Sequence, residues 1–234
     1  MPQPSHGTRE PIALSWSGGK DSALALLALR ERGDVDVTVL LTSVTSEYDR
    51  ISIHGVRRTL LERQAEALGL PLMIIALEPK CSNAEYEAAF RDALVRLSAA
   101  HPRVKRVAFG DLYLTEVRDY RDRLLIDTGF TGMYPLWGEP TRALAEGFID
   151  AGFSATIVCA DNTQIDGSFA GRRFDRSLLD ALPAGADPCG ENGEFHTFVH
   201  DGPIFGRAVS VMCGTVVVRD ERFTYCDLLD AAEA

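Results

Sequence analysis

A short segment rich in glycine and serine connects a strand-like run to a helix-forming run near the start of the chain. Ile12–Trp16 is mostly apolar, Ala23–Arg32 is rich in alanine and leucine, and Ser17-Gly18-Gly19-Lys20-Asp21-Ser22 lies between them. Alanine and leucine are the best helix formers. Adjacent glycines let the backbone approach a ligand closely, and the first turn of a helix presents free N–H groups at its positive end. The segment therefore predicts an anion-binding loop between a strand and a helix.

The side chains of this loop suit a phosphate group. Ser17 and Ser22 can donate hydroxyl hydrogens to phosphate oxygens, and Lys20 adds a positive charge. Asp21 would repel a phosphate, so its presence predicts either a bridging Mg²⁺ ion or hydrogen bonds that fix the loop. The alternative is that the serines and Asp21 only cap the following helix.

Strand-like and helix-like segments alternate through the first half of the chain. The strand-like runs are short and continuously apolar, which is typical of parallel strands buried on both faces. The alternation predicts an α/β fold with right-handed crossovers. Besides Ile12–Trp16, we expect strands at Val35–Leu41, Leu72–Leu77, Val104–Phe109 and, inside or outside this sheet, Ala155–Ala160. We expect helices at Ala23–Arg32, Val56–Leu68, Ala84–Ala99, Arg142–Ala151 and near Tyr120–Thr128.

The loop after the fourth strand is expected to contribute to the same site. In a sheet of order 3-2-1-4-5, strands one and four are neighbours, and ligands bind beyond their carboxyl ends. Gly110 and Asp111 follow the fourth strand directly, and Arg118 lies a little further on. We therefore expect these three residues to face the anion-binding loop. Arg121 and Arg123 are interpreted as a solvated helix face, with a role in the site left open.

The composition changes after Asp161. Glycine, aspartate and proline become dense through Pro183–Gly193, and a β-rich tail follows. We expect a hairpin in this tail, with strands Arg207–Met212 and Thr215–Arg219 joined across Cys213-Gly214. The change predicts an anion-binding domain at residues 1–135, a smaller mixed α/β domain at residues 136–234, and a linker near 135–140.

A second unusual stretch, Asp187–Phe198, is rich in acidic residues and glycine and is called the acidic segment. It includes Asn192-Gly193, a strong turn signal. Glu194 and His196 lie two positions apart, so an extended strand would place them on one face. Glu191, Glu194 and His196 could then converge as an acid/base or ammonium-binding site. The alternative is a hairpin with exposed polar residues. Cys189 is interpreted as a structural thiol rather than a metal ligand or a nucleophile.

Charge and cysteine content limit the partners and the compartment. The chain carries 34 acidic and 24 basic residues, a formal net charge of −10. This balance argues against nucleic acid as a general partner, because such binding depends on Lys and Arg. Five cysteines without a Cys-x-x-Cys pair favour reduced thiols in the cytoplasm. No apolar run is long enough for a membrane span, and Met1–Pro11 is expected to be a loose tail. A homo-oligomer is left open.

The motifs together resemble one known family. The segment SGGKDS matches the loop of the PP-loop ATP pyrophosphatases and differs in glycine spacing from a Walker A loop. With FGDLYL, PLWG and GENGEFHTF, the chain resembles the diphthine–ammonia ligase family from Ile12 to about Phe205. The resemblance implies an adenine nucleotide α-hydrolase fold (Rossmann-like) and a branch-specific C-terminal domain. It also implies that ATP and Mg²⁺ activate a small or protein-borne carboxylate as an adenylate, which ammonia converts to an amide.

The resemblance assigns roles to named residues. Ser17–Ser22 inherit nucleotide binding, and we add Gly110 and Asp111 from the neighbouring loop. Glu191, Asn192, Glu194 and His196 inherit the branch motif for substrate recognition or catalysis, with Lys20 and Asp21 as further catalytic candidates. Asn192 and Arg118 are the candidates for substrate binding, and Asp21 is the candidate for Mg²⁺.

One departure from the family pattern affects the expected substrate. Diphthamide-forming members read E-G-G-E-[FY]-E-[ST], whereas this chain has Asn192 and His196 at the second and sixth positions. The ENGEFH form is similar to a largely bacterial subgroup suggested to act in corrinoid salvage. Two other functions stay open: a nucleotide-binding module without turnover, and tRNA modification. The latter predicts paired cysteines and a basic face, which the sequence lacks.

Overall fold

The computed structural model, which describes residues 9–47, 49–51 and 55–231, contains two β-sheets. The strands of the first sheet are β1 Glu10–Ser15, β2 Val35–Thr45, β3 Arg50–Ile51, β4 Leu72–Leu77, β5 Arg106–Ala108 and β6 Thr131–Met133. Five of them are parallel in the order β4-β2-β1-β5-β6, and β3 pairs antiparallel with the end of β2. The predicted α/β class with a parallel sheet is confirmed.

Strands β1 and β5 are adjacent in the sheet, which confirms the strand order predicted for the first and fourth strands. Ala13 pairs with Val107 and Leu14 with Ala108, so the two strands end side by side. The fifth parallel strand is β6, which the sequence did not predict because it is only three residues long and contains Gly132. Strand β1 already begins at Glu10, so the expected tail is too long. Its first eight residues lie outside the described part of the chain.

The first five helices are found near their predicted positions, and the short helix α6 was not predicted. Their bounds are α1 Lys20–Arg32, α2 Arg58–Leu68, α3 Asn83–Ala100, α4 Thr115–Leu125, α5 Thr141–Asp150 and α6 Arg176–Ala181. The expected helix near 120–128 is α4, which begins earlier and ends earlier. It cannot extend to residue 128, because Asp127 has a φ of 61°, in the left-handed region.

The second sheet is antiparallel and has the strand order β8-β7-β10-β9. Its strands are β7 Ser154–Asp161, β8 Phe195–Asp201, β9 Val211–Arg219 and β10 Phe223–Asp230. The run Ala155–Ala160 lies in β7 and therefore belongs to this sheet and not to the first. The predicted domain limits of 1–135 and 136–234 separate the two sheets, and the boundary itself stays a prediction.

The predicted hairpin across Cys213-Gly214 is wrong. Strand β9 runs straight through both residues and pairs with β10, and the turn lies after Arg219. Gly214 lies in the strand because the backbone of β10 approaches it closely where the register shifts. A Cβ atom at position 214 would lie 3.0 Å from the carbonyl oxygen of Asp227. A glycine inside a strand commonly marks such a bulge and not a turn.

One hydrophobic core joins the two sheets. It includes Leu14 of β1, Trp16 directly after this strand, and three residues of β8, all nearly inaccessible to solvent: Phe195, Phe198 and Val199. Across the ranges that the structure describes, no helix is both long and apolar enough to cross a membrane. The shared core fixes β8 against the glycine-rich loop that follows β1.

Candidate active site

The glycine-rich loop leads directly from β1 into α1, as predicted. Gly19 is the N-cap residue, and no loop side chain caps the helix. Instead, the Lys20 N–H donates to Thr197 Oγ1 of β8 at 3.0 Å. The Ser17 hydroxyl accepts from the Gly19 N–H at 3.2 Å. The alternative, in which the serines of the loop or Asp21 cap the helix, is therefore wrong.

Gln64 of α2 holds the loop against the second sheet. Its side chain is fully buried, and its Nε2 donates to the carbonyl oxygens of Gly18 (3.0 Å) and Val199. Its Oε1 accepts from Trp16 Nε1 at 3.0 Å. The Val199 N–H also donates to the Gly18 carbonyl at 2.9 Å. Gly18 has a φ of 77°, and a Cβ there would lie 2.8 Å from Gln64 Oε1, so this position requires glycine. The sequence analysis did not identify Gln64.

Lys20 and Asp21 form an ion pair at the start of α1. Lys20 Nζ lies 2.7 Å and 2.8 Å from the two carboxylate oxygens of Asp21. The lysine is 2% exposed, whereas the Asp21 side chain is 30% exposed and faces a cavity. Burial lowers the pKa of Lys20, but Asp21 and other nearby acidic groups outweigh burial and raise it. Lys20 is therefore a buried group that carries its positive charge at neutral pH.

A cavity of about 250 Å³ lies at the carboxyl ends of β1 and β5. Most of the predicted site residues line it, and Arg121 joins them. Its lining includes Ser17, Gly19, Lys20, Asp21, Ser22, Gly110, Asp111, Arg121, Glu191 and His196. The cavity thus brings together groups from the glycine-rich loop, the loop after β5, helix α4 and the acidic segment.

Glu191 reaches this cavity from the acidic segment. Its Oε1 accepts from the Leu112 N–H at 2.9 Å. Burial raises the pKa of Glu191 to about 7; the Leu112 N–H and Lys20 oppose the shift, and Asp21 and Asp111 add to it. A carboxyl group with such a pKa can exchange a proton near neutral pH.

Asp111 and Arg121 face each other across the cavity wall. Arg121 Nε lies 3.7 Å from Asp111 Oδ2, and the Arg121 side chain is 24% exposed. Burial raises the pKa of Asp111, Arg121 opposes that shift, and Asp21 adds to it. The interpretation of Arg121 as a solvated helix face is therefore wrong, while Arg123 is exposed as expected.

Arg118, the predicted substrate-binding arginine, lies outside the linings of the cavities described here. Its guanidinium lies 4.9 Å from the ring centroid of Tyr134 and 4.8 Å from that of Trp137. It also lies 3.9 Å from Asp122 on the same helix. Arg118 thus packs against aromatic rings beside the site, and its role in substrate binding stays a prediction. Periodicity on α4 did not show which arginine faces the cavity.

Glu194 and Asn192 organise the acidic segment from within. The buried Glu194 carboxylate accepts from the N–H groups of Asp187 (2.7 Å) and Asn192 (3.0 Å) and from the Asn192 side-chain amide (3.0 Å). Asn192 Oδ1 accepts from the Tyr113 hydroxyl at 3.0 Å. Glu191, Glu194 and His196 therefore do not all converge: Glu191 and His196 line the cavity, and Glu194 shapes the loop that presents Glu191.

Cys189 is buried beside this segment. Its Sγ donates to the Thr141 carbonyl at 3.2 Å, and burial raises the pKa of its thiol to about 12. In the part of the chain that the structure describes, no group of three or more His, Cys, Asp or Glu side chains is arranged to hold a metal ion. These observations agree with the interpretation of Cys189 as a structural thiol.

A second, larger cavity of about 690 Å³ adjoins the first. Ser15, Ser17, Arg121 and His196 line both cavities. The remaining lining is more apolar and aromatic, and it includes Trp16, Leu41, Ile51, Leu77, Tyr86, Val117 and Tyr120. The two cavities therefore form one continuous site with a polar part and an apolar part.

Gly110 allows the loop after β5 to contact the start of α1. A Cβ atom at position 110 would lie 3.0 Å from the Asp21 backbone carbonyl and 3.1 Å from the Ser22 nitrogen.

We expect Gly110→Ala to lower the free energy of unfolding in urea by about 1–3 kcal/mol, because backbone atoms must move apart. The matched control is Gly147→Ala, in an exposed position of α5 with no atom near the new Cβ. It should raise stability by up to about 1 kcal/mol, and an unchanged Gly110→Ala would contradict the close approach.

Comparisons with known proteins match the two parts of the chain that contain the first and the second sheet. Residues 10–131 match the family model of the diphthamide synthase N-terminal domain, and residues 140–229 match that of the diphthamide synthase C-terminal domain. The diphthine–ammonia ligase of Schizosaccharomyces pombe is 23% identical over 210 residues, which cover 82% of this chain and 34% of that protein. The chain thus spans about a third of the length of this relative. The U34-tRNA thiolase NcsA from Methanococcus maripaludis aligns with a TM-score of 0.39 and 16% identity, over 64% of this chain and 59% of that one.

Proposed function

The chain belongs to the diphthamide synthase family, and from that premise we propose that it is a ligase that uses ATP to join a carboxylate to ammonia as an amide. The observation that carries the proposal is the position of Glu191. The C-terminal segment places it in the cavity that Lys20 and Asp21 line. One cavity thus combines a cation suited to pyrophosphate with a carboxyl group suited to accepting a proton.

ATP is placed across the two cavities in this proposal. The polar cavity receives the phosphates, where Lys20, Ser17 and the N-terminus of α1 can bind them. The apolar cavity receives the adenosine, with Leu41 and Tyr120 among the side chains that can contact the base. The two cavities adjoin, as a nucleotide with a phosphate chain requires.

The first step is activation of the carboxylate. A carboxylate oxygen attacks the α-phosphorus, the bond from this phosphorus to the bridging oxygen breaks, and pyrophosphate leaves with the electron pair. Lys20 and the loop N–H groups stabilise the negative charge that develops on pyrophosphate. Activation is needed because a carboxylate is a poor electrophile, and AMP is a far better leaving group than oxide.

The second step forms the amide. The nitrogen of ammonia attacks the carbonyl carbon, the bond from this carbon to the AMP oxygen breaks, and AMP leaves with the electron pair. Glu191 accepts the proton that nitrogen loses, and its raised pKa suits this transfer near neutral pH.

Magnesium would have to bind mainly through the nucleotide. Mg²⁺ commonly takes one or two carboxylates together with phosphate oxygens. Asp21 faces the cavity, but both its oxygens accept from Lys20, and no group of three acidic or metal-binding side chains surrounds it within the described ranges. Asp21 is the one carboxylate that the sequence analysis assigned to the ion, and phosphate oxygens would supply further ligands. In our proposal Asp21 supplies at most one contact to an ion that neutralises phosphate charge.

The carboxylate substrate is the least constrained part of the proposal. The yeast relative is named for diphthine, and we propose a small or protein-borne carboxylate here. His196 lines both cavities, whereas the Asn192 side chain bonds to Tyr113 and Glu194. Of the two departures from the family pattern, the histidine is thus the one that changes the cavity. A corrinoid carboxylate, which the resemblance of the ENGEFH form to one subgroup implies, is the second candidate.

We also propose that the chain acts in the cytoplasm. All five cysteines lie within the described residues and are free thiols. Three of them are buried, and free thiols persist in a reducing compartment.

The test is the product formed from ATP. Protein is incubated with ATP, Mg²⁺, ammonium and a panel of carboxylic acids that includes diphthine and corrinoid acids. We expect ATP to be converted to equal amounts of AMP and pyrophosphate, and we expect this conversion to require one particular acid of the panel. In the absence of ammonium, the same acid should support exchange of labelled pyrophosphate into ATP. ADP as the sole product would refute the proposal, and tight ATP binding without cleavage for every acid would indicate a binding module.

A further inference from the structure

Arg121 lies where the two cavities meet. It is placed there by α4, whose first turn follows the loop after β5. It lines the polar cavity together with Lys20 and the apolar cavity together with Tyr120. Its side chain is mostly buried, so its charge acts within the site and not in bulk solvent.

Three neighbours hold the guanidinium group in place. Its Nη1 donates to the Tyr86 hydroxyl at 3.1 Å. Its centre lies 5.2 Å from the ring centroid of Phe109, a cation–π distance. Asp111 lies on a further side, at 3.7 Å from Nε. Burial lowers the pKa of Arg121, but Tyr86 and Asp111 outweigh burial and raise it, so the group stays charged.

One donor of this group has no acceptor. Among the described residues, Arg121 Nε and Asp111 Oδ2 are buried side-chain atoms without a hydrogen-bond partner. Their separation of 3.7 Å is too long for a hydrogen bond. The buried Nε thus faces the Asp111 carboxylate without a full hydrogen bond, and the 24% of the Arg121 side chain that is exposed is the part that a ligand can reach. A cationic group in both cavity linings favours a ligand with acceptor oxygens.

The covalent order of a nucleotide identifies that oxygen. The α-phosphate connects the nucleoside to the terminal phosphates, so it must lie where the apolar cavity meets the polar cavity. Arg121 lines both, and a guanidinium matches the spacing of two phosphate oxygens better than an ammonium group does. Lys20, in contrast, lines only the polar cavity of the two.

We propose that Arg121 is a catalytic residue that binds the α-phosphate oxygens of the nucleotide. This inference rests on the proposed function. When the substrate oxygen bonds to the α-phosphorus and pyrophosphate departs with its electron pair, negative charge stays on the non-bridging oxygens of that phosphate. Arg121 stabilises this charge and then holds the AMP group while ammonia attacks.

Binding of AMP and of inorganic pyrophosphate separates this role from a structural one. In the Arg121→Gln variant we expect the dissociation constant of AMP, measured by calorimetry, to rise about 10- to 100-fold, because a hydrogen bond to a charged group is lost. Pyrophosphate binding should change by no more than about 2-fold, since Lys20 and the loop are untouched. The matched control is Arg103→Gln, which changes an exposed arginine outside the linings of both cavities and should bind both ligands as the unmodified protein does.

A second variant guards against misfolding. Arg121→Lys keeps the charge but presents a single donor group, so it should bind AMP with intermediate affinity and pyrophosphate normally. Unchanged AMP binding in Arg121→Gln, or equal weakening of AMP and pyrophosphate in Arg121→Lys, would overturn the inference. Failure of the proposed function has a different signature: the unmodified protein would bind AMP but release none from ATP with any acid.

Discussion

Replacing Lys20 with methionine should slow ATP cleavage by at least about 10²–10³-fold. Lys20 is the buried lysine of the polar cavity, and methionine keeps much of its length without the charge. Pyrophosphate would then leave without its main cationic partner in the loop. Release of AMP from α-labelled ATP at saturating nucleotide measures the effect.

Two further variants separate lost chemistry from lost stability. Lys105→Met removes an exposed lysine and should leave the rate unchanged. Lys20→Met leaves the Asp21 carboxylate without its partner, whereas the double variant Lys20→Met/Asp21→Asn removes both charges. We expect the double variant to unfold at higher urea than the single one, yet to cleave ATP no faster. A rate within 3-fold of the unmodified protein in Lys20→Met would exclude a role for Lys20 in this step, where roughly 10² is expected.

Replacing Glu191 with glutamine should remove most of the ammonia transfer and spare adenylation. A general base contributes about 10²–10⁴-fold, and glutamine cannot accept the proton, although it can still accept from the Leu112 N–H. Pyrophosphate exchange into ATP should therefore persist while amide formation falls by about 10²-fold. Glu31→Gln, an exposed change on α1, is the matched control. Equal loss of both activities would contradict this division.

The pH dependence of the same step follows from the raised pKa of Glu191. The carboxylate is the active form, so at constant free ammonia the transfer rate should rise with pH and level off above about 7. The glutamine variant should lack this rise.

The stability of the folded protein should change with pH in the opposite direction. The folded protein holds the Glu191 proton more tightly than the unfolded chain does, so this group lowers stability as pH rises from about 4.5 to about 7. At pH 8 the glutamine variant should thus lose less stability relative to pH 4 than the unmodified protein.

The parts of the site that depend on local sequence were predictable. The anion loop needs only a strand, two glycines and a helix in succession, and the structure contains that order. The selection of Glu191 as a candidate residue followed from its sequence motif. The sequence did not show whether Arg118 or Arg121 faces the cavity. Both lie on α4, and the contacts of Arg121 with Tyr86 and Phe109 determine its position.

Residues whose partners are distant in sequence escaped prediction for the same reason. Gln64 is a polar residue within a helix, which usually indicates a solvated face, yet it bonds to Gly18 and Val199. Gly214 suggested a turn, since a close approach of β10 leaves no local trace. The assignments of Asn192 and Glu194 stay predictions, and their hydrogen bonds favour support of the loop over contact with substrate.

The bonds from Thr197, Val199 and Gln64 to the anion loop have a consequence for how such chains can evolve. The two matched segments are separate in sequence, but the first turn of α1 is completed by a hydroxyl from β8. Recombination between relatives that exchanged one segment alone would pair a loop with a foreign strand. Changes on the two sides of this contact should therefore be inherited together.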